Sequence, residues 1–135
     1  MPKIKAELSP RNPYRLSKHR QYELMHFCLQ YPEWKRSLAN LEMRVSCSYG
    51  PEKGPKMDRP LEELVIKRDG YRRLIEMVEN AAKATDDQIG KYILKAVTEG
   101  LSFETVKMRY SVPCERDMWY DRWRKFYWVL DRVRR

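Results

Sequence analysis

The stretch DDQIGKYILKAVTEGLSFETVKMRYSVPCERDMWYDRWRKFYWVLDRV, residues 86–133, decides the fold. Its pattern predicts a helix that ends at Gly100 and a short helix that Ser102 caps. A turn at 111–113 (Ser-Val-Pro) follows, and a long last helix begins near Cys114. Two helices joined by such a turn are typical of a helix-turn-helix, in which the second helix enters a DNA major groove.

Apolar spacing predicts which sides of these helices face the core. The last helix repeats large apolar residues at steps of four and three, which places one stripe on the core: Trp119, Trp123, Phe126, Leu130 and Val133. On the short helix, Phe103, Val106 and Tyr110 are expected on the inner side, and Val112 is expected to fill the corner between the two helices.

The opposite face of the last helix predicts the contacts with DNA. The first two turns of such a helix reach the bases, so we expect Arg116, Tyr120 and Arg124 to read or border them. The expected contacts to the DNA backbone are Ser102, Lys107, Lys125, Arg132, Arg134 and Arg135. The alternative interpretation of all these charges is an ordinary solvated helix face.

Two further local expectations concern the same helix. Asp121 and Lys125 are four residues apart and are predicted to form an ion pair. Cys114 lies near a helix N-terminus, which favours a lowered thiol pKa.

The rest of the chain also predicts helices, so the fold class is all-α. Residues 1–16 form a basic arm with three prolines, and residues 17–45 form a helical hairpin that Ser17 caps and that is jointed near Pro32. Residues 46–59, with two glycines and two prolines, predict a loop, and residues 60–135 hold a long helix and the helix-turn-helix.

The long helix is expected from Pro60 to about Ala84, and Thr85 or Asp86 caps the helix that follows. Its apolar stripe has a heptad-like spacing, which leaves two alternatives, packing within the chain or a dimer contact. The stripe comprises Leu61, Leu64, Arg68, Tyr71, Ile75, Val78 and Ala82. In the helix after it, Ile89, Tyr92, Ile93, Ala96 and Val97 are expected to face inward.

Bulk composition narrows the function classes. The chain has 28 Lys and Arg against 19 Asp and Glu, a net charge of +9, which favours a polyanionic partner. No apolar run predicts a membrane span, and the three cysteines have no metal-ligand spacing, which favours a cytoplasmic protein without a metal or cofactor. His19 and His26 lack a nucleophile, a carboxylate pair or a phosphate loop, so no enzyme is predicted.

Two stretches resemble a known group of proteins. KYILKAVTEGLSFETVKMRYSVPCERDMWYDRWRKFYWVLDRVR and YELMHFCLQYPEWKRSL are similar to small regulators of phages and integrated elements of Gram-positive bacteria, of the RinA and ArpU type. The C-terminal part of those regulators resembles the promoter-binding helix-turn-helix domain of sigma factors. The resemblance implies DNA binding and control of phage genes, with the last helix in the major groove.

The functional prediction is a sequence-specific regulator of phage late transcription that binds double-stranded DNA in the cytoplasm of a bacterial host. Host RNA polymerase and a second copy of the chain are further expected partners. Two alternatives stay open. One is a DNA-packaging protein resembling a small terminase subunit, and the other is a phage module that binds a host protein through an aromatic patch of Tyr120, Tyr127 and Trp128.

Overall fold

The computed structural model describes residues 12–48 and 59–135, and all regular secondary structure within these ranges is helical. The all-α prediction is confirmed. In chain order the helices are α1 (Lys18–Leu29), α2 (Tyr31–Ser48), α3 (Arg59–Thr85), α4 (Gly90–Glu99), α5 (Phe103–Tyr110) and α6 (Arg116–Val133). The prediction of a loop at 46–59 is wrong at residues 46–48 and 59, which are helical, and residues 49–58 lie outside the described residues.

Local capping chemistry sets several helix ends where the sequence predicts them. The hydroxyl of Ser17 accepts a hydrogen bond from the Arg20 amide at the start of α1. Ser102 does the same for α5, where its hydroxyl accepts from the Thr105 amide at 3.2 Å. Gly100 ends α4 in the left-handed conformation, with φ at 69°, a region that favours glycine.

The start of α4 differs from the prediction by one turn. Asp86 accepts hydrogen bonds from the amides of Gln88 and Ile89, at 2.8 and 2.9 Å, so it caps a turn at 87–89 and not the helix itself. Thr85 is the last residue of α3, and its hydroxyl donates to the Ala81 carbonyl. α4 then begins at residue 90.

α2 packs antiparallel along α3, and ties at both ends establish the direction. The Tyr31 hydroxyl donates to Glu79 at 2.5 Å, and Arg72 donates to Glu42 at 2.7 Å. α1 ends at the predicted joint, just before residue 30, but packs mainly on α4 and α6. α3 in turn packs on α6 and α4, so one contiguous core joins side chains from all six helices.

The α3 stripe packs within the chain. Four of its members are buried and the other three are half-buried, which matches the first of the two alternatives for that heptad-like pattern.

The burial of α6 corrects part of the predicted stripe. Trp119, Phe126 and Leu130 are buried as predicted, but Trp123 is only half-buried and Val133 is 54% exposed. Tyr127, in contrast, is only 2% exposed. The reason is that α1, α3 and α4 all contact α6. The buried part of its circumference is therefore wider than one stripe and is centred on a different side of the helix.

Tyr110 is a further correction, because it is exposed and not on the inner side of α5. It is the last residue of that helix, next to Ser111, whose φ of 52° turns the chain away. Its ring approaches Tyr92 at 6.5 Å between centroids.

Candidate nucleic-acid interface

The connection between α5 and α6 is held by an internal clamp. Val112 is 1% exposed and fills the corner, as predicted. The ammonium group of Lys107 donates to the carbonyl oxygens of Val112 and Cys114, at 2.7 and 2.9 Å. The Cys114 amide also donates to the Val112 carbonyl. These bonds fix the angle between the helices, and they engage Lys107, which the sequence predicts as a DNA-backbone contact.

Aromatic packing joins α5 to the first turns of α6. The ring of Phe103 lies 5.4 Å from the buried Trp119 and 6.4 Å from Tyr120, measured between centroids. Tyr120 in turn contacts Trp123 edge-on at 6.3 Å. These ring contacts link the two helices, and Tyr120 is half-buried.

The three predicted base-reading residues lie at one-turn intervals along α6. Residues four apart share a helix face, so Arg116, Tyr120 and Arg124 form a single row. Arg116 forms an ion pair with Glu104 at 2.9 Å, and both side chains are more than half exposed. Its guanidinium also lies 5.6 Å from the Tyr120 ring centroid.

Arg124 and Lys125 are cations without an internal counter-charge. Neither has a carboxylate within ion-pair distance in the described part of the chain, and both are half-buried. The Nε of Arg124 is shielded from solvent and has no hydrogen-bond partner among the described residues. A buried donor without a partner costs roughly 1–3 kcal/mol.

Asp121 pairs with a neighbour other than the one predicted. It contacts Arg122, whose Nε also donates to Asp86 at 2.9 Å. Burial would raise the pKa of Asp86, but hydrogen bonds from the Ile89 amide and from Arg122 outweigh it, and the pKa is lowered. These three residues connect α6 to the segment after α3. Because Asp121 is paired with Arg122, it forms no ion pair with Lys125.

The end of the N-terminal arm covers the second half of the same α6 face. The ring of Tyr14 meets Trp128 edge-on at 5.6 Å, and Arg132 stacks on the Trp128 ring at 3.7 Å. A bond from the Tyr14 amide to Asn12 shapes this segment. The sequence prediction includes Tyr14 only as part of the arm 1–16, and the residues before 12 lie outside the described part.

The last two arginines of the chain are engaged internally. Arg134 forms an ion pair with Glu23 at 2.7 Å and stacks over the Phe27 ring at 3.9 Å. Arg135 pairs with the buried Asp131 at 3.1 Å. Arg134 and Arg135 were predicted as DNA-backbone contacts. In the fold, Arg134 connects the end of α6 to α1, and Arg135 pairs with a residue of α6 itself.

Ser102 and Cys114 also have local roles. The Ser102 hydroxyl caps α5 and lies 3.0 Å from the Thr105 hydroxyl. The pKa prediction for Cys114 is wrong in direction, because burial of this thiol raises its pKa. Burial likewise raises the pKa of Cys28, whereas Cys47 is exposed.

In the ranges that the structure describes, no three His, Cys, Asp or Glu side chains come together as metal ligands would. None of the described helices is long and apolar enough to cross a membrane. Comparison of the chain with protein-family models, with curated proteins and with solved structures gives no match.

Proposed function

We propose that this chain is a sequence-specific regulator of phage transcription that binds double-stranded DNA. In this proposal α5, the clamped turn and α6 act as a helix-turn-helix, and the first two turns of α6 enter the major groove. The observation that carries the proposal is the row of Arg116, Tyr120 and Arg124 on a helix whose attachment is fixed by the Lys107 clamp. A net charge of +9 supplies attraction to the phosphates.

Two acidic residues of this surface, Glu104 and Asp121, are already paired with arginines. The Glu104–Arg116 pair is exposed, and exposed pairs contribute only ~0–1 kcal/mol, so Arg116 can exchange Glu104 for a base or a phosphate. Asp121 is already paired with Arg122. Arg124 has no carboxylate to leave within the described residues, so it approaches DNA without breaking an ion pair.

The internal contacts narrow the expected backbone set. Lys125 is the strongest backbone candidate, because it follows Arg124 and has no ion pair in the described part of the chain. Arg132 contributes from its stack on Trp128. Lys107, Arg134 and Arg135 act within the protein fold, and the Ser102 hydroxyl caps α5.

The resemblance to RinA- and ArpU-type regulators supports the same proposal and gives it a context, the control of phage late genes with host RNA polymerase as a partner. The alternative of a host-protein-binding module loses part of its support. Its aromatic patch included Tyr127, which is 2% exposed, and Trp128, which is half-buried and contacts Tyr14 edge-on.

The proposal is tested by selecting bound fragments from the genome that encodes the chain, at about 150 mM salt, a concentration at which non-specific binding is weak. Recovery of one or a few upstream sites supports a regulator. Uniform recovery together with a ring of many copies supports the packaging alternative, and no recovery contradicts DNA binding.

Arg124→Ala then tests the groove face on the selected site. We expect specific binding to weaken by ~1–3 kcal/mol if Arg124 reads a base. Arg73→Ala on α3 is the control, since it removes the same charge from an exposed position on a helix outside the proposed interface. Equal, small effects of both substitutions would contradict the assignment of this face.

A further inference from the structure

The positive charge of the chain is unevenly distributed around the proposed helix-turn-helix. Residues 102–124, which include all three predicted base-reading residues, contain five Lys or Arg and four Asp or Glu. Residues 12–23 and 125–135, in contrast, contain seven Lys or Arg and only two Asp or Glu. A polyanion is therefore attracted more strongly to the start of α1 and the second half of α6 than to the residues that are expected to read bases.

Two contacts hold the start of α1 beside the second half of α6. The Nε of Arg20 donates to Asp131 at 2.6 Å, and the Tyr14 ring meets Trp128 edge-on, with 5.6 Å between the centroids. Arg20 also pairs with Glu23, the other acid of these two segments. The segments therefore form one continuous surface, on which both carboxylates are already engaged by arginine.

Three cations of this surface have no carboxylate within ion-pair distance among the described residues: Arg15, Lys125 and Arg132. Arg15 directly follows Tyr14, and its side chain is exposed. Lys125, Trp128 and Arg132 follow one another at steps of three and four, so they share one face of α6. The exposed Arg132 guanidinium lies 3.7 Å from the Trp128 ring centroid. A guanidinium stacked in this way keeps its N–H donors at the ring edge, where they can bind a phosphate.

The length of α6 separates these cations from the groove. Arg116 and Arg132 are 16 residues apart, which corresponds to ~24 Å along the helix axis. A DNA major groove is only ~12 Å wide. In the proposed orientation, in which the first two turns of α6 enter the groove, Arg132 therefore lies beyond the edge of the groove, beside the sugar-phosphate backbone.

We propose that Arg15, Lys125 and Arg132 form a phosphate-binding surface, the flanking surface, which contacts the DNA backbone beside the groove. The Tyr14–Trp128 contact positions Arg15 on it. The flanking surface supplies affinity that does not depend on sequence, whereas the predicted base-reading residues supply specificity. This inference rests on the proposed binding of double-stranded DNA, and it adds Arg15 to the set of backbone contacts.

The first test measures the affinity of the full chain at about 50 to 300 mM salt for two duplexes, the selected site and a scrambled sequence of equal length. The logarithm of affinity falls by ~0.9 per phosphate contact for each tenfold rise in salt, so one contact is worth roughly fivefold at 150 mM relative to 1 M. We expect Arg15→Ala and Arg132→Ala each to weaken binding by roughly fivefold on both duplexes and to reduce the salt slope by ~1. The ratio of the two affinities should not change.

Arg73→Ala is again the control, since it removes the same charge from an exposed position on α3. If Arg15→Ala and Arg132→Ala change the salt slope no more than Arg73→Ala does, while the protein still prefers its selected site, this inference is overturned and the proposed function stands. A loss of preference for the selected site in either variant also overturns it, because the residue would then read a base. A wild-type chain without affinity for either duplex contradicts the proposed function, and the inference with it.

A double-mutant cycle tests the positioning role of Tyr14. Tyr14→Ala removes the ring contact with Trp128 and releases the segment that carries Arg15. In the Tyr14→Ala background we expect Arg15→Ala to weaken binding by less than about twofold, compared with roughly fivefold in the wild type. An equal effect of Arg15→Ala in both backgrounds overturns the role assigned to Tyr14. Far-ultraviolet circular dichroism of each variant checks that the helices are retained.

Discussion

Two glycines on neighbouring helices provide a sharp test of how α3 and α4 pack. Gly90 is the first residue of α4, and a Cβ atom at this position would lie less than 3.0 Å from the Ala82 carbonyl oxygen and 3.2 Å from its carbon. Both are backbone atoms of α3, so neither can rotate aside. Gly70, in the middle of α3, has nothing within 4 Å of the corresponding position.

The two alanine substitutions should therefore change the free energy of unfolding in opposite directions. In an open helix interior, alanine is favoured over glycine by ~0.8–1.0 kcal/mol, so Gly70→Ala should raise the free energy of unfolding by nearly that amount. At Gly90 the added methyl group overpacks a close helix contact, at a cost of ~1–3 kcal/mol that exceeds the gain in propensity. We expect Gly90→Ala to be ~2–3 kcal/mol less stable than Gly70→Ala.

Urea unfolding followed by far-ultraviolet circular dichroism measures both free energies, and the slope against urea checks that unfolding remains two-state. Thermal unfolding should separate the two variants by about 6–12 °C, at about 3–4 °C per kcal/mol for a chain of this length. A Gly90→Ala protein as stable as the wild type would refute the close approach of α4 to Ala82. A destabilised Gly70→Ala protein would show that the surface around Gly70 is not open.

Two more predictions test the ties that hold α6. Lys107→Met keeps the apolar stem but removes the two bonds to the turn carbonyls, so it should lower the free energy of unfolding by ~1–2 kcal/mol, and an unchanged urea midpoint would contradict the clamp. For Asp131, burial would raise the pKa, but hydrogen bonds from Arg20 and Arg135 outweigh burial, and the pKa is lowered. Its stabilising contribution is therefore complete above the usual carboxyl pKa of ~4 and is lost as the pH falls below it. We expect Asp131→Asn to be less stable than the wild type by ~1–3 kcal/mol at pH 7 and nearly equal to it near pH 2, and a difference that is the same at both pH values would contradict this assignment.

Much of the helix layout follows from local chemistry. Ser17 and Ser102 can cap because a short side-chain oxygen reaches an amide three residues on, and Gly100 ends α4 because it enters the left-handed region without steric cost. These are properties of a few neighbouring residues, so the sequence alone predicts them. Apolar periodicity similarly predicts the inner face of α4, which contacts its neighbours on one side.

The same periodicity is less reliable for α6. It predicts a single stripe that ends at Val133, but the helix is packed by others on several sides, which buries Tyr127 and Asp131 as well. Arg20 and Asp131 are 111 residues apart in sequence, and their contact depends on where α1 docks. No local pattern contains that information, so the sequence alone does not distinguish the buried Asp131 from a solvent-exposed aspartate.

The availability of the predicted DNA contacts depends on the same non-local information. In sequence, Lys107 and Arg134 resemble Lys125 and Arg124, since each is a cation near the proposed groove helix. In the fold, Lys107 is engaged by two carbonyls and Arg134 by Glu23. Net charge therefore overstates how many cations can reach a phosphate without breaking an internal bond.

The contacts that remain are concentrated at the beginning and middle of α6. Tyr14 contacts the Trp128 ring, so the arm restricts access to that ring, whereas Arg132, which stacks on it, stays exposed. A helix entering a major groove presents its first turns to the bases, and this is the half that stays open. The described end of the arm therefore lies beside the proposed DNA surface, where Tyr14 contacts Trp128.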